Sequence, residues 1–300
     1  MRLGCKDRLP TVRGRYLFDV PLAPTMWFRV GGIAEVVFKP ADLEDLCFFL
    51  LHKPSDIPVS VIGVGSNLLV RDGGVPGVVV RLGGAFGKTH VEGNHIRAGA
   101  AALDRTVALL SAEAGLTGLE FLCGIPGTIG GALRMNAGCY GSEMAQVLVS
   151  AVAVDSQGIV HTLTPSEMGF SYRHCDIPKE WIFVEACLQG TSGDPEKIHE
   201  KINALLETRE ATQPVHSRTG GSTFANPEGM SSWKLIDDAG CRGLQIGGAR
   251  MSDLHCNFMI NTGGATAQDL ETLGEEVKKR VLATSGVELR WEIERLGEKT

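Results

Sequence analysis

The chain has no C-x-x-C pair. Its eight cysteines stand singly at positions 5, 47, 123, 139, 175, 187, 241 and 256, so neither a zinc site nor a dithiol redox motif is written in it, and no metal is expected. The thiols are expected to be reduced and mostly packed. Long hydrophobic runs are missing too. The longest strongly apolar stretch, 46–51, falls far short of the roughly 20 residues that span a bilayer, and the first ten residues lack the apolar core of a secretory leader. A cytoplasmic protein with no membrane partner is the expectation. Positive charge is not in excess: 29 Lys and Arg stand against 35 Asp and Glu, a formal net charge of −6. That argues against a nucleic-acid partner, whose phosphates call for clustered cations, but it leaves room for a local basic pocket that binds a small anion. Internal repeats and low-complexity tracts are also absent. What is present is 300 residues, 43% of them hydrophobic, enough for buried cores in one to three domains.

Short β-rich runs alternate with helical spacing from residue 34 onward: a strand at 34–38, a helix at 42–52 and a strand at 59–62. Strands are expected at 68–71, 78–82 and 95–98, then a helix at 104–114 that puts Val107, Leu110 and Ala114 on one face and stops at Gly115. Runs at 147–154 and 159–163 read as a hairpin around Ser156-Gln157-Gly158, and a strand at 181–188 completes the unit. The flexible cluster Gly190-Thr191-Ser192-Gly193-Asp194-Pro195 marks the best boundary, giving domains 1–192 and 193–300. Beyond it the pattern predicts helices at 196–211, 233–238 and 267–284, with strands at 258–261 and 287–296.

Glycine carries the strongest signal. Gly63-Val64-Gly65-Ser66-Asn67 follows a strand-like run, and Gly124-Ile125-Pro126-Gly127-Thr128-Ile129-Gly130-Gly131-Ala132 runs on to Asn136-Ala137-Gly138. Bare backbone of this kind lets peptide N–H groups approach a phosphate, so the two loops read as a dinucleotide cofactor site; simple chain turning is the competing reading. Two familiar phosphate loops do not fit. Gly83-Gly84-Ala85-Phe86-Gly87-Lys88-Thr89 lacks the first glycine of a Walker A loop, whose place is taken by Leu82. Gly63-x-Gly65 has Leu68 where a Rossmann fingerprint needs its third glycine.

Several other residues bear chemistry. Ser222 lies in Gly221-Ser222-Thr223-Phe224-Ala225-Asn226-Pro227, as a proton donor on a flexible turn or as a simple turn cap; Phe224 two positions on is wrong for an esterase elbow. Arg173 in Ser171-Tyr172-Arg173-His174 can hold a carboxylate or steady enolate charge, or merely form a surface ion pair. Along 288–294, strand alternation would put Glu288, Arg290, Glu292 and Glu294 on one face, a solvated edge unless it meets a pocket, where one carboxylate suits acid–base work. His255 and Asn257 precede a strand and can bind a ligand or tie down a loop. Trp27 and Phe28 beside Gly31-Gly32 suit packing on a planar ring or ordinary core packing.

Six motifs occur in order: Gly31-Gly32, Gly63-x-Gly65-Ser66-Asn67-Leu68-Leu69, Gly124-Ile125-Pro126-Gly127-x3-Gly131-Ala132-x3-Asn136-Ala137-Gly138, Ser171-Tyr172-Arg173, Gly221-Ser222-x-Phe224-x-Asn226-Pro227 and Gly286-x-Glu288-Leu289-x2-Glu292. Together, over about residues 25–297, they resemble the UDP-N-acetylenolpyruvoylglucosamine reductase family, flavoproteins of bacterial cell-wall synthesis. The resemblance implies an α+β protein: an FAD-binding domain of the vanillyl-alcohol-oxidase (PCMH) type in two subdomains, then a C-terminal α+β substrate-binding domain. It implies FAD and NADPH as cofactors and UDP-N-acetylglucosamine enolpyruvate as the small-molecule substrate; a monomer is expected. Carried over by motif, the catalytic positions are Arg173, Ser222 and a protonated Glu292. Cofactor contacts are expected from Phe28, from Gly63, Val64, Gly65, Ser66, Asn67 and Leu68, and from Gly124, Ile125, Pro126, Gly127, Thr128, Gly131, Asn136, Ala137 and Gly138. Substrate contacts are expected from Tyr172, Arg218, Asn226, His255 and Asn257. Ala225 and Thr212 stand where relatives often carry basic residues, which shifts the expected diphosphate contact to Arg218; between Arg173 and Trp181 there is no room for a tyrosine-bearing lid insertion, so the chain resembles the shorter branch. The alternative weighed is a flavin-dependent oxidase on the same FAD domain, and after it a flavin-binding module without catalysis.

Overall fold

The computed structural model describes residues 5–300; residues 1–4, with which the expected first domain begins, lie outside it. Two compact units emerge, each assembled from separate stretches. Of the described residues, 5–18, 36–63 and 77–208 form the first, and 19–35, 64–76 and 209–300 the second. The units therefore do not follow a single cut after residue 192. The helix Pro195–Thr212 belongs to the first as far as residue 208, because Ile198 and Ile202 are buried in that unit's core.

The first unit has two cores. In one, the Asp42 side chain accepts the N–H of Asp45 and so caps the helix Leu43–His52, whose Leu46, Phe49 and Leu50 join Val36, Phe38, Val78 and Val80. β-Branched residues favour the extended chain here, and Val59–Val61 pairs in parallel with Val75–Val80, Val59 opposite Val78. The other core lies under a five-stranded antiparallel sheet in the order Val160–Leu163, Leu148–Val154, Ile182–Gln189, His95–Gly99, Thr89–Glu92. Helix Asp104–Glu113 contributes Val107, Ala108 and Ala112 to it. The hairpin turn forms where expected, its Asp155 carboxylate accepting the N–H groups of Gln157 and Ile159.

The second unit is built on the helix Ala267–Ser285. A capping box of Thr266 and Asp269 opens it, Asp72 accepts the N–H groups of Ala267 and Gln268, and Gly286 closes it at φ 71°. Its Leu270, Leu273, Val277 and Val281 share a core with Phe28, Phe224, Met251, Met259 and Leu289. A three-stranded sheet, Gln245–Ile246, Ala249–Met251, Met259–Asn261, completes the unit. At Gly274 a Cβ would fall 2.2 Å from the Trp291 indole, so only glycine lets that ring lie across the helix.

The closing strand expected at 287–296 is not a single strand. Only Glu294–Leu296 pairs as one, parallel to Leu68–Val70. Residues before it bond elsewhere: Ala225 N–H donates to the Arg290 carbonyl, and Glu292 N–H to the Thr223 carbonyl. The change of partner breaks the ladder, yet the alternation survives, with Leu289 and Ile293 buried and Glu288, Arg290 and Glu294 exposed. Among the elements not expected are the strands Arg15–Pro21 and Thr89–Glu92, the short helices Ile129–Arg134 and Pro165–Met168, and the hairpin at 245–251. Among the described residues no helix is long and apolar enough to cross a membrane.

Candidate active site

In the first unit the glycine-rich stretch is fastened from behind. Ile129 and Gly130 donate to the carbonyls of Ala102 and Ala100, and Asp104 N–H donates to the Gly127 carbonyl. The Asp104 carboxyl itself is fully buried without a hydrogen-bond partner, and burial pushes its pKa well above the usual carboxylate range. A Cβ on Gly124 would lie 2.8 Å from Cys139 Sγ, so a side chain there would have to displace that thiol. Gly63, the last residue of its segment in this unit, stands close to the longer stretch: a Cβ on it would lie 3.0 Å from Thr128 Oγ1. The exposed Gly131 would carry its Cβ 3.8 Å from the same hydroxyl.

The Arg173 segment is held to this stretch. Asn136, at φ 43°, donates from Nδ2 to the Ser171 carbonyl and accepts the Ala145 N–H on Oδ1. Arg173 sits at φ 57° in a turn closed by reciprocal Ser171 and His174 backbone bonds. Its Nη2 donates to the Gly138 carbonyl at 2.9 Å, and its guanidinium stands 5.2 Å from the centre of the exposed Tyr172 ring. One residue of this assembly escaped the sequence reading. Arg134, at the end of Ile129–Arg134, donates to the carbonyls of Ile177 (2.7 Å) and Trp181 (2.6 Å) and stacks over Phe183. Burial lowers its pKa, and the two carbonyls clamp the stretch that begins with Arg173. A lone arginine amid small residues was its only signal.

In the second unit Gly65, at φ 71°, packs beside Met26, and its carbonyl accepts the Trp27 N–H. Asn67 donates from Nδ2 to the Glu292 carbonyl at 3.1 Å and accepts the Glu294 N–H on its own carbonyl. Ser222 follows Gly221, at φ 80°, and bridges to Phe258. The next residue, Thr223, donates to the Asn257 carbonyl at 2.7 Å and accepts the Glu292 N–H at 2.9 Å. The Ser222 loop, Glu292 and the 64–68 loop thus share one hydrogen-bonded backbone frame.

Other expected contacts take on defined places. Phe28 is fully buried in this unit's core, and a Cβ on Gly220 would lie 2.3 Å from its ring. Asn257 is also buried; its amide accepts the Phe224 N–H at 3.0 Å and donates to the Phe224 carbonyl at 2.8 Å, so it ties down the Ser222 loop. Asn226 accepts the Ser232 N–H at the start of helix Ser232–Asp238. His255 accepts the Asn257 N–H on Nδ1, packs edge-on to Phe258, and has its pKa lowered by burial. The exposed Arg218 guanidinium has no protein partner among the described residues.

The donor set fits a dinucleotide. Among the described residues no protein acceptor takes the N–H groups of Gly63, Val64, Gly65 or Ser66, four consecutive donors of the kind that cradles a diphosphate.

Known proteins match nearly all of the chain. A family model for an FAD binding domain matches residues 34–164, and one for the C-terminal domain of UDP-N-acetylenolpyruvoylglucosamine reductase matches 213–296. A UDP-N-acetylenolpyruvoylglucosamine reductase of Parvibaculum lavamentivorans is 62% identical over 97% of this chain and 94% of its own length. One from Paramagnetospirillum magneticum is 60% identical over 97% and 95%. The solved structure of UDP-N-acetylenolpyruvylglucosamine reductase from Thermus caldophilus superposes with a TM-score of 0.82 at 33% identity, covering 96% of this chain and 100% of that one.

Proposed function

Since this chain belongs to the UDP-N-acetylenolpyruvoylglucosamine reductase family, we propose that Arg173, Ser222 and Glu292 are its catalytic residues. The fold class is the α+β one expected, with an FAD-binding domain of the vanillyl-alcohol-oxidase type and a C-terminal substrate domain. The activity is NADPH-dependent reduction of UDP-N-acetylglucosamine enolpyruvate to UDP-N-acetylmuramate, a step in peptidoglycan precursor synthesis. The chemistry supplied by bound FAD is transfer of NADPH's reducing equivalents to the enolpyruvyl double bond.

The N–H groups of the 63–68 loop and the backbone of 124–138 would hold that cofactor. Arg173 sets a fixed positive charge against the substrate carboxylate, where negative charge grows as the double bond is reduced. Glu292 hydrogen-bonds the same developing charge. Ser222 gives its hydroxyl proton to the carbon beside that carboxylate, completing the lactyl ether. Arg218 takes the diphosphate of the sugar nucleotide, while Tyr172, Asn226 and His255 line its path. Asn257 acts through Phe224. In functional terms residues 1–192 carry the cofactor and 193–300 the substrate. The enzyme works as a cytoplasmic monomer, and its net charge of −6 supports the absence of a nucleic-acid partner.

The observation that carries the assignment is the frame in which Thr223 accepts the Glu292 N–H and Asn67 donates to the Glu292 carbonyl, since it ties the proposed proton donor, carboxylate and cofactor loop together. The purified yellow protein tests the reading. NADPH should bleach the flavin band rapidly, and the enolpyruvyl nucleotide should restore it much faster than air does. Rapid recovery in air alone, with no response to the nucleotide, would instead mark an oxidase.

A further inference from the structure

The structure holds a second basic site that the proposed reaction does not use. It is a cleft of about 490 Å³ in the first unit, within the size range of small-ligand sites, whose lining includes Arg13, Arg15, Lys39, Arg81, Gly83 and Gly84. Four cations converge there in a chain of net charge −6. Arg13 is already paired with Asp42 and Glu44. Arg15, Lys39 and Arg81 have no acidic partner among the described residues.

Their backbone is fixed. Asp45, 2% exposed, accepts the N–H groups of Arg13 (2.7 Å), Gly14 (2.9 Å) and Ala41 (3.0 Å), so its own charge is spent on binding the 13–15 segment to the wall at 39–41. Gly14 presses so closely on that wall that a Cβ would fall 2.2 Å from the Lys39 carbonyl oxygen. Arg81 donates its backbone N–H to the Phe38 carbonyl, which places it next to Lys39. Gly83 and Gly84 belong to the segment whose sequence echoes a phosphate loop without completing it. A Cβ on either would meet nothing within 4 Å, and among the described residues no protein acceptor takes their N–H groups.

Cations that line one cleft without acidic partners raise the local positive potential and favour an anion, and guanidinium groups match phosphate geometry. We propose that this cleft is an accessory site for a compact polyanion carrying at least two phosphate groups, as free pyrophosphate or as the phosphates of a nucleotide. None of the residues assigned to catalysis, cofactor or substrate lies in it.

Calorimetry on the FAD-loaded enzyme tests this with pyrophosphate, ATP and adenosine as probes. Pyrophosphate should bind saturably and weaken as salt rises. Arg15→Gln combined with Arg81→Gln should weaken it roughly tenfold or more, the scale of lost charge-assisted contacts, with turnover and flavin content unchanged. Arg218→Ala should leave it unaltered. Tighter binding of ATP than pyrophosphate assigns the site to a nucleotide, and the reverse to the free anion; adenosine should not bind in either case. The proposal fails if no saturable binding is seen, if the double variant binds as the wild type does, if Arg218→Ala abolishes binding, or if pyrophosphate releases the flavin. Loss of reductase activity in the wild type would count against the assigned function and leave this binding result standing.

Discussion

Asn257→Leu isolates the claim that a buried amide holds the Ser222 loop in place. Leucine keeps the bulk at a position only 4% exposed but deletes the bonds to the Phe224 N–H (3.0 Å) and carbonyl (2.8 Å). Both Phe224 groups are then left buried without partners, at about 1–3 kcal/mol each, so roughly 2–6 kcal/mol of local stability should go. The backbone bond from Thr223 N–H to the residue 257 carbonyl remains, which favours local loosening of the loop over global unfolding. Amide exchange followed by mass spectrometry should show the 222–226 segment losing protection while the helix Ala267–Ser285 keeps it. In stopped-flow, flavin reduction by NADPH should stay near the wild-type rate, and reoxidation by the enolpyruvyl nucleotide should fall. Unchanged protection at 222–226, or equal slowing of both half-reactions, would refute the reasoning.

Arg134→Met keeps the apolar stem over Phe183 and removes both carbonyl bonds, so it should slow the nucleotide half-reaction through the loosened Arg173 segment, raise KM, and lower Tm; Arg134→Lys should recover only part, because one ammonium cannot match a fork spanning two carbonyls. Glu271 is buried and has its pKa lowered chiefly by the hydrogen bond from Arg71, with Lys299 and Arg295 adding to it. Its contribution to stability is therefore complete above the unfolded value of about 4.3 and lost as pH falls through the folded one, so in urea melts the gap between wild type and Glu271→Gln should be widest near neutrality and close in acid. Gly274→Ala drives a methyl to within 2.2 Å of Trp291 and should cost at least about 1–3 kcal/mol, seen as a lower Tm with altered tryptophan fluorescence.

Much of this was written locally. The strands at 95–98, 147–154 and 181–188 and the helices at 42–52, 104–114 and 267–284 all form within a few residues of their patterns, because hydrophobic spacing, Asp42, the capping box at Thr266 and the Gly286 stop act within a turn or two. The final segment misled because its alternation reports which side chains are buried, not which backbone they pair with, and the partner changes between Ile293 and Glu294. The same blindness to distant partners hid the role of Asn257: its motif position was legible, but whether an amide faces a ligand or a backbone 33 residues away was not. Arg134 went unnoticed because its partners, Ile177 and Trp181, are carbonyls that no sequence pattern displays.

The central claim is that Ser222 delivers the proton, and single-turnover reoxidation of the reduced Ser222→Ala enzyme by the enolpyruvyl nucleotide tests it most directly. FAD content and NADPH-driven bleaching should match the wild type, while net formation of the lactyl ether should fall by roughly 10²-fold or more, the scale of positioned general-acid catalysis. In D₂O, with the reduced enzyme equilibrated beforehand, unreacted substrate should gain deuterium at its vinyl carbon as reversible addition outruns proton delivery. Wild-type turnover in Ser222→Ala, with no such exchange, would remove the hydroxyl from the mechanism.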